Sequence, residues 1–447
     1  MRNQHSQAGI PLLREALTAF SSLDSFRRRR ERCKDYTFGR QWNDYIYVDG
    51  HHITEEEYIL SEGNIPLKNN LIRHIVRNIV GVFRSKLADT FEAYPEGIKR
   101  LAKANSLYET YSRGMEEFLI SGMTVHKKWV GVRNGKSGIW TDHVSPASFF
   151  FNSSARDPSG RDFSTVGQLH DVDPGELLEA FADSPTTYRE LMGQIQFAGG
   201  RPVRIVELWR REHRARRIVH NPAEASLIFM EEDEWERRPD LHSLPNRWVL
   251  QEIWRVYFIS AEGRIIKSSD SPYPDGSHPY VFKAYPFLDG EIHSLVGDTI
   301  DQQRYTNRLI TMYDWIMRAS AKGVLLLPQG AVRPEEIENV VRQWSRFNGV
   351  IMYDANMGVP EPRQVNGVGN HQGISELLQI QLKMMEDVSG VSDALRGKAA
   401  SSGMSGALFN QQTENSLTSL LDIFDTFASF IDQCAAKDSL LLSALKR

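Results

Sequence analysis

DTIDQQRYTNRLITMYDWIMR, residues 298–318, reads as one long helix and sets the frame for the rest of the chain. An Asp/Thr pair caps its start, and Tyr305, Leu309, Met312, Tyr313 and Ile316 fall on one stripe. A second stretch, ISELLQIQLKMMEDVS at 374–389, carries Leu378, Leu382 and Met385 on one face and Ile380, Met384 and Val388 on another. At 1.5 Å per residue these rods are ~30 Å and ~24 Å long. A helix that is apolar on several faces is wedged between neighbours, and in a chain of modest size those neighbours can be other subunits.

Between the rods, 320–371 reads as a small module: a short strand GVLLLP, a helix PEEIENVVRQWSRF with Pro334 and acidic residues in its first turn, and a second strand NGVIMYD. After the second rod, GVSDALRGKAASSGMSG at 390–406 has four glycines and four serines, the composition of a flexible loop. A last long helix follows from about Ser405 to Cys434.

Working toward the N-terminus, 123–290 alternates short runs of Val, Ile, Trp, Tyr and Phe with the turn pairs Asn134-Gly135, Asp157-Pro158, Glu262-Gly263 and Asp275-Gly276. HKKWVGVRNGKSGIWTDHV and EIWRVYFISAEGRIIKSS read as hairpins, and 174–196 inserts a helix or two. Helices are expected at 11–35, at 105–121 and at 69–87, the last with Asn69 or Asn70 as N-cap and an apolar stripe from Leu71 to Phe83. The class is α+β, built on antiparallel strands.

The chain has 447 residues, 41% hydrophobic and 25% charged, with a net charge of −4, so no overall basic excess advertises a polyanion partner. Cys33 and Cys434 fit no metal spacing and read as free thiols in a reducing compartment. Neither a signal peptide nor a membrane-spanning run is apparent.

The search for chemistry returns little. Gly131 to Ser137, GVRNGKS, approximates a phosphate-cradling loop but has three residues between its glycines rather than four. It also sits between strand-like runs, where a hairpin turn fits better. His51-His52 with Glu55 to Glu57, and the acidic run Glu231 to Glu236, read as surface charge rather than metal sites. The cluster Arg27 to Arg30 with Arg32 is ordinarily a solvated helix face or interface rim. The alternative is a nucleic-acid contact, and with it a cytosolic nucleic-acid-binding protein. A P-loop-like nucleotide-binding enzyme is a third reading; no catalytic residue, cofactor or metal site is assigned.

The order of segments carries more information than any motif. HPYVFKAYPFLDGEIHSLVGDTIDQQRYTNRLITMYDW resembles the approach to the first stem helix of the portal proteins of tailed bacteriophages, including Asp301-Gln302-Gln303 and Tyr305-Thr306-Asn307. EDVSGVSDALRGKAASSGMSGALFNQQTE is similar to that family's second stem helix, tunnel loop and following helix. GRQWND and NNLIRHIVRNIVGVFRSK resemble its N-terminal helices, and VSPASFFFNSSARDPSGRDF its wing segment, with Asn152 where Asp is usual. The resemblance covers about residues 20–433.

It implies a portal-type fold: a wing at 1–293, a first stem helix at 294–319, a clip at 320–371 and a second stem helix at 372–390. A tunnel loop follows at 391–404, a wing or channel helix at 405–433, and a short C-terminal segment or minimal crown at 434–447. It also implies a ring of about twelve subunits at the capsid vertex, assembled in the host cytoplasm, forming the channel for genome packaging and ejection. Implied partners are double-stranded DNA without sequence preference, the terminase large subunit, head-completion or adaptor proteins, and the major capsid protein. Scaffolding protein is a further candidate, and no membrane is involved. In the loop, Ser392, Arg396, Lys398, Ser401, Ser402 and Met404 would face DNA. Arg396 and Lys398 are its cations, few enough to touch phosphates without holding the duplex. Arg342, Trp344, Arg346 and Phe347 would mark the clip's partner surface, or Trp344 and Phe347 would fill its small core. Tyr305, Leu309, Tyr313, Ile316, Leu378, Leu382 and Met385 would be the stem's contacts between subunits.

Overall fold

The computed structural model describes residues 2–133, 135–197, 199–221, 226–322, 324–327, 332–345, 363–365, 372–392 and 417–445. Among the described residues helix accounts for 51% and strand for 26%, and all strand pairing is antiparallel, so the α+β class holds. No helix among these residues is long and apolar enough to cross a membrane. The chain divides into two compact units: Met1–Phe38, Ile72–Ile300 and Ser389–Arg447 form one, and Gly39–Leu71 with Asp301–Val388 the other.

The larger unit is organised by two sheets. Val203–Asn221, a strand of nineteen residues, pairs along its length with Asn246–Ser260. On its other edge it takes Thr165–Val172 at one end and Ser226–Glu231 at the other. The second sheet runs Tyr280–Ala284, Met123–Arg133, Lys136–His143. Phe149, Phe150, Phe151, Phe163 and Phe282 meet in one core with Val125, Val206 and Ile259, all of them at most 3% exposed. Gly122 ends the helix Leu107–Ser121 at φ +77, and a Cβ there would overlap the His293 carbonyl, so the turn into the sheet requires glycine.

Both expected hairpins form, Trp129 opposite Trp140 in one and Tyr257 opposite Ser268 in the other. Two helices, Pro174–Phe181 and Pro185–Phe197, occupy the insertion. The helix Leu71–Glu92 buries Ile72, Ile75, Val76, Ile79 and Phe83 as its periodicity requires.

Two elements depart from the sequence reading. The single helix expected at 11–35 is two, Arg2–Ser22 and Asp24–Thr37, broken at Leu23. There the Ala19 carbonyl accepts from the Ser22 hydroxyl and the Phe20 carbonyl from the Arg27 guanidinium, while Leu23 itself is buried. The final helix, expected to end at Cys434, runs Leu421–Leu445. Its extra turns are held by Asp438 and Leu441, both buried, and Asp438 meets Lys128 of the central sheet strand at 2.7 Å with both side chains at most 1% exposed.

In the smaller unit the first rod is the helix Leu295–Lys322, whose residues from Asp301 belong here, and the second is Gln372–Ser389. This unit also takes in Gly39–Leu71, grouped by sequence order with the N-terminal region. Tyr45–Val48 and His51–Thr54 form a hairpin leading into the short helix Glu55–Ser61, which Thr54 and Glu57 start as a reciprocal capping box. Between the rods, Val324–Leu326 pairs with Arg363–Val365, and Pro334–Glu336 opens the helix Ile337–Ser345. The expected strand NGVIMYD lies outside the described residues.

Candidate functional site

The polar run on the first rod has a structural cause. Gln303, Asn307 and Thr311 are spaced one helical turn apart and face the segment 67–71. The Gln303 side-chain oxygen accepts from the Leu71 amide at 2.9 Å, and its NH2 donates to the Asn69 carbonyl at 2.7 Å and to Asn307 Oδ1 at 2.9 Å. Asn307 Oδ1 accepts from the Asn69 amide at 3.1 Å, and its NH2 donates to Gln41 Oε1 at 2.7 Å. Thr311 Oγ1 accepts from the Leu67 amide at 3.1 Å. Gln303, Asn307 and Gln41 are at most 1% exposed. The backbone leading into the helix at Leu71 is thus held by amides on the rod. Buried polar groups demand such partners.

One residue further round the same rod, Arg304 and Arg308 both pair with the carboxylate of Glu55, which is 3% exposed. Glu57 is occupied by the capping box, its carboxyl pKa lowered by hydrogen bonds from the Thr54 backbone and hydroxyl. The His51–Glu57 cluster therefore serves folding. Beside these pairs lies a groove of about 500 Å³, walled by Ile46, Tyr58, Ile59, Met312, Trp315 and Ile316 and floored by Trp42 and Glu55.

The proposed stem contacts divide by burial. Leu309 and Met385 are buried within the chain, Tyr313, Ile316, Leu378 and Leu382 are half-buried, and Tyr305 is exposed. Among the described residues, the large apolar side chains left in solvent are Met312, Trp315 and Met317, with Tyr305, on the first rod and Leu377, Ile380, Met384 and Val388 on the second. Periodicity showed two apolar faces on the second rod; which one is covered is a long-range matter. Of the loop residues, Ser392 is half-buried, while Arg396, Lys398, Ser401, Ser402 and Met404 lie outside the described residues. In the small module Arg342 is exposed and Trp344 half-buried; Arg346 and Phe347 lie outside the described residues.

The rival sites have local explanations. Arg30 makes a two-pronged ion pair with Glu117 at 2.7 and 2.8 Å, Arg27 pairs with Asp24 and lies over the Phe20 ring, and Arg32 lies over Tyr36. On the helix Leu71–Glu92, Arg73 pairs with Glu116 and Arg84 lies over Tyr108. These cations have partners within the chain, while Arg28 and Arg29 of the cluster are exposed. Gly131 to Ser137 is a hairpin end, with Gly131 opposite Gly138 and Val132 opposite Ser137. The segment leads into a strand, not into the helix whose amides a phosphate needs, so the P-loop reading fails. In the acidic run, Glu231 reaches Arg214, Glu232 takes Arg217, and the short helix Glu232–Glu236 buries Trp235.

The wing-like segment shows why Asn152 serves in place of Asp. Its side-chain oxygen accepts from the Ser164 amide at 2.9 Å and the Thr165 amide at 3.4 Å, and its NH2 donates to Ser154 Oγ at 2.8 Å.

No curated protein matches the chain. A family model described as phage P22-like portal protein matches residues 18–437, nearly the whole length, and its span includes both rods, the module between them and the wing-like segment. The chain therefore belongs to the phage P22-like portal protein family and has the role of a phage portal protein.

Proposed function

We propose that copies of this chain close into a ring of about twelve around a channel for double-stranded DNA at the capsid vertex. The genome passes through that channel during packaging and ejection. The observation that carries the reading is the pair of uncovered apolar faces on the rods: Met312 and Trp315 on one, Leu377, Ile380, Met384 and Val388 on the other, each between 43% and 55% exposed. Covering the exposed half of an aliphatic side chain stabilises by about 1 kcal/mol, so the second rod alone offers about 4 kcal/mol at every junction of a ring. Family membership supports a homo-oligomeric capsid component.

In this reading 320–371 is the clip, facing the terminase large subunit during packaging and head-completion proteins afterwards. The segment 391–404 is the tunnel loop, whose Arg396 and Lys398, repeated around the ring, touch phosphates weakly enough for the duplex to slide. Negative-stain microscopy of the purified protein tests the ring: annular particles with a central channel are expected, and a stable compact monomer refutes it. Deleting residues 393–402 tests the loop. Rings should still form while DNA packaging or retention fails; normal DNA-filled particles would rule out a working loop.

A further inference from the structure

The groove beside the first rod is chemically incomplete. Its floor holds two buried polar atoms without a hydrogen-bond partner, the indole N–H of Trp42 and Oε2 of Glu55, with the parent residues 4% and 3% exposed. Both atoms are covered, so the groups the groove offers an occupant are its apolar walls and the exposed charges of Glu62 and Arg308. The site therefore fits an occupant that is apolar along one line and carries a cation for Glu62 and an anion for Arg308 beside it.

The second rod has that pattern. At about 100° per residue, Leu377, Ile380, Met384 and Val388 fall within an arc of roughly 80°, all exposed. Along one flank of that ridge stand Lys383 and Asp387, one turn apart and both exposed. Lys383 is the one cation in Gln372–Ser389. Ridge and groove are different surfaces of the same chain, so a ridge seated in a groove joins unlike patches. Contacts of that kind propagate from copy to copy and close into a ring where the rotation between copies allows it.

We infer that the groove walled by Tyr58, Met312 and Trp315 receives the Leu377–Val388 ridge of a neighbouring copy, with Lys383 going to Glu62 and Asp387 to Arg308. This rests on the ring reading and specifies its junction.

The test is a cysteine pair, Met312→Cys with Ile380→Cys, in the full chain; the native Cys33 and Cys434 are buried. Oxidation should give a ladder of covalent oligomers that collapses on reduction, with neither single variant producing it. A charge exchange gives a second readout. Lys383→Glu should raise the concentration needed for assembly at least tenfold, and adding Glu62→Lys should recover most of that loss. If annular particles form but the pair gives no ladder and the exchange no recovery, the junction is wrong while the ring stands. A disulfide within one chain, seen by peptide mapping, overturns the junction as well. If no annular particle forms under any condition, the ring reading fails and the junction with it.

Discussion

Asp438→Asn should destabilise the larger unit more than any other single-atom change in the C-terminal helix. Asp438 sits on Leu421–Leu445 and meets Lys128 of the central sheet strand at 2.7 Å, with the two side chains 1% and 0% exposed. Burial raises the Asp438 pKa, and the neighbouring Lys128 ammonium, its hydrogen-bond donor, lowers it in opposition; the net direction is upward. Removing one partner of such a pair leaves the other charge uncompensated, which costs about 3–5 kcal/mol. At about 2 °C per kcal/mol for a body this large, Tm should fall by roughly 6–10 °C. The double variant Lys128→Met with Asp438→Leu removes both charges and should lie within about 1 kcal/mol of wild type or above it. Thermal unfolding by circular dichroism, with tryptophan fluorescence as a second probe, reads both. If Asp438→Asn leaves Tm within 2 °C of wild type, or the double variant falls as far as the single, the pair does not clamp the helix and the argument is refuted.

Three further outcomes follow from the same structure. Gln303→Leu removes the side-chain partner of the part-buried Leu71 amide and Asn69 carbonyl, which keep only their own 2.9 Å bond to each other, and should cost about 1–3 kcal/mol in denaturant unfolding, whereas Glu57→Gln, at an exposed cap, should cost less than about 1. Burial first, and Lys437 second, push His278 down to about 3 from 6.5, and burial also holds His126 well below 6.5. Both stay neutral in the fold, so their contribution is complete above pH 6.5. It declines as pH falls, by about 1.4 kcal/mol per unit for each, because the unfolded chain binds the protons first. Tm measured from pH 7 to pH 5 should therefore drop, and His278→Phe should make that slope shallower. Asn152→Asp keeps the acceptor used by the Ser164 amide and should shift Tm by under about 1 °C, while Asn152→Ala should lose about 1–2 kcal/mol.

Much of this molecule follows from local pattern. Both hairpins are visible in alternating apolar runs joined by Asn134-Gly135 and Glu262-Gly263, and both rods in a repeat of 3.6, because such signals need only neighbouring residues. The order of those elements was enough to reach the portal family. The break at Leu23 was hidden because side chains competing for the Ala19 and Phe20 carbonyls leave no gap in the apolar stripe.

Other features belong to tertiary structure alone. The Asp301–Asn307 run is polar because Gln303 and Asn307 satisfy backbone at Asn69 and Leu71, more than two hundred residues earlier. Glu55 looked like surface charge until Arg304 and Arg308 closed on it, and Asp438 needed Lys128 to be tolerable inside. On the second rod the sequence determined that two faces are apolar; the fold decided that Met385 turns inward and that Ile380 and Met384 stay in solvent. Periodicity fixes where side chains lie around a helix axis, whereas the choice of buried face depends on which distant surface arrives to cover it.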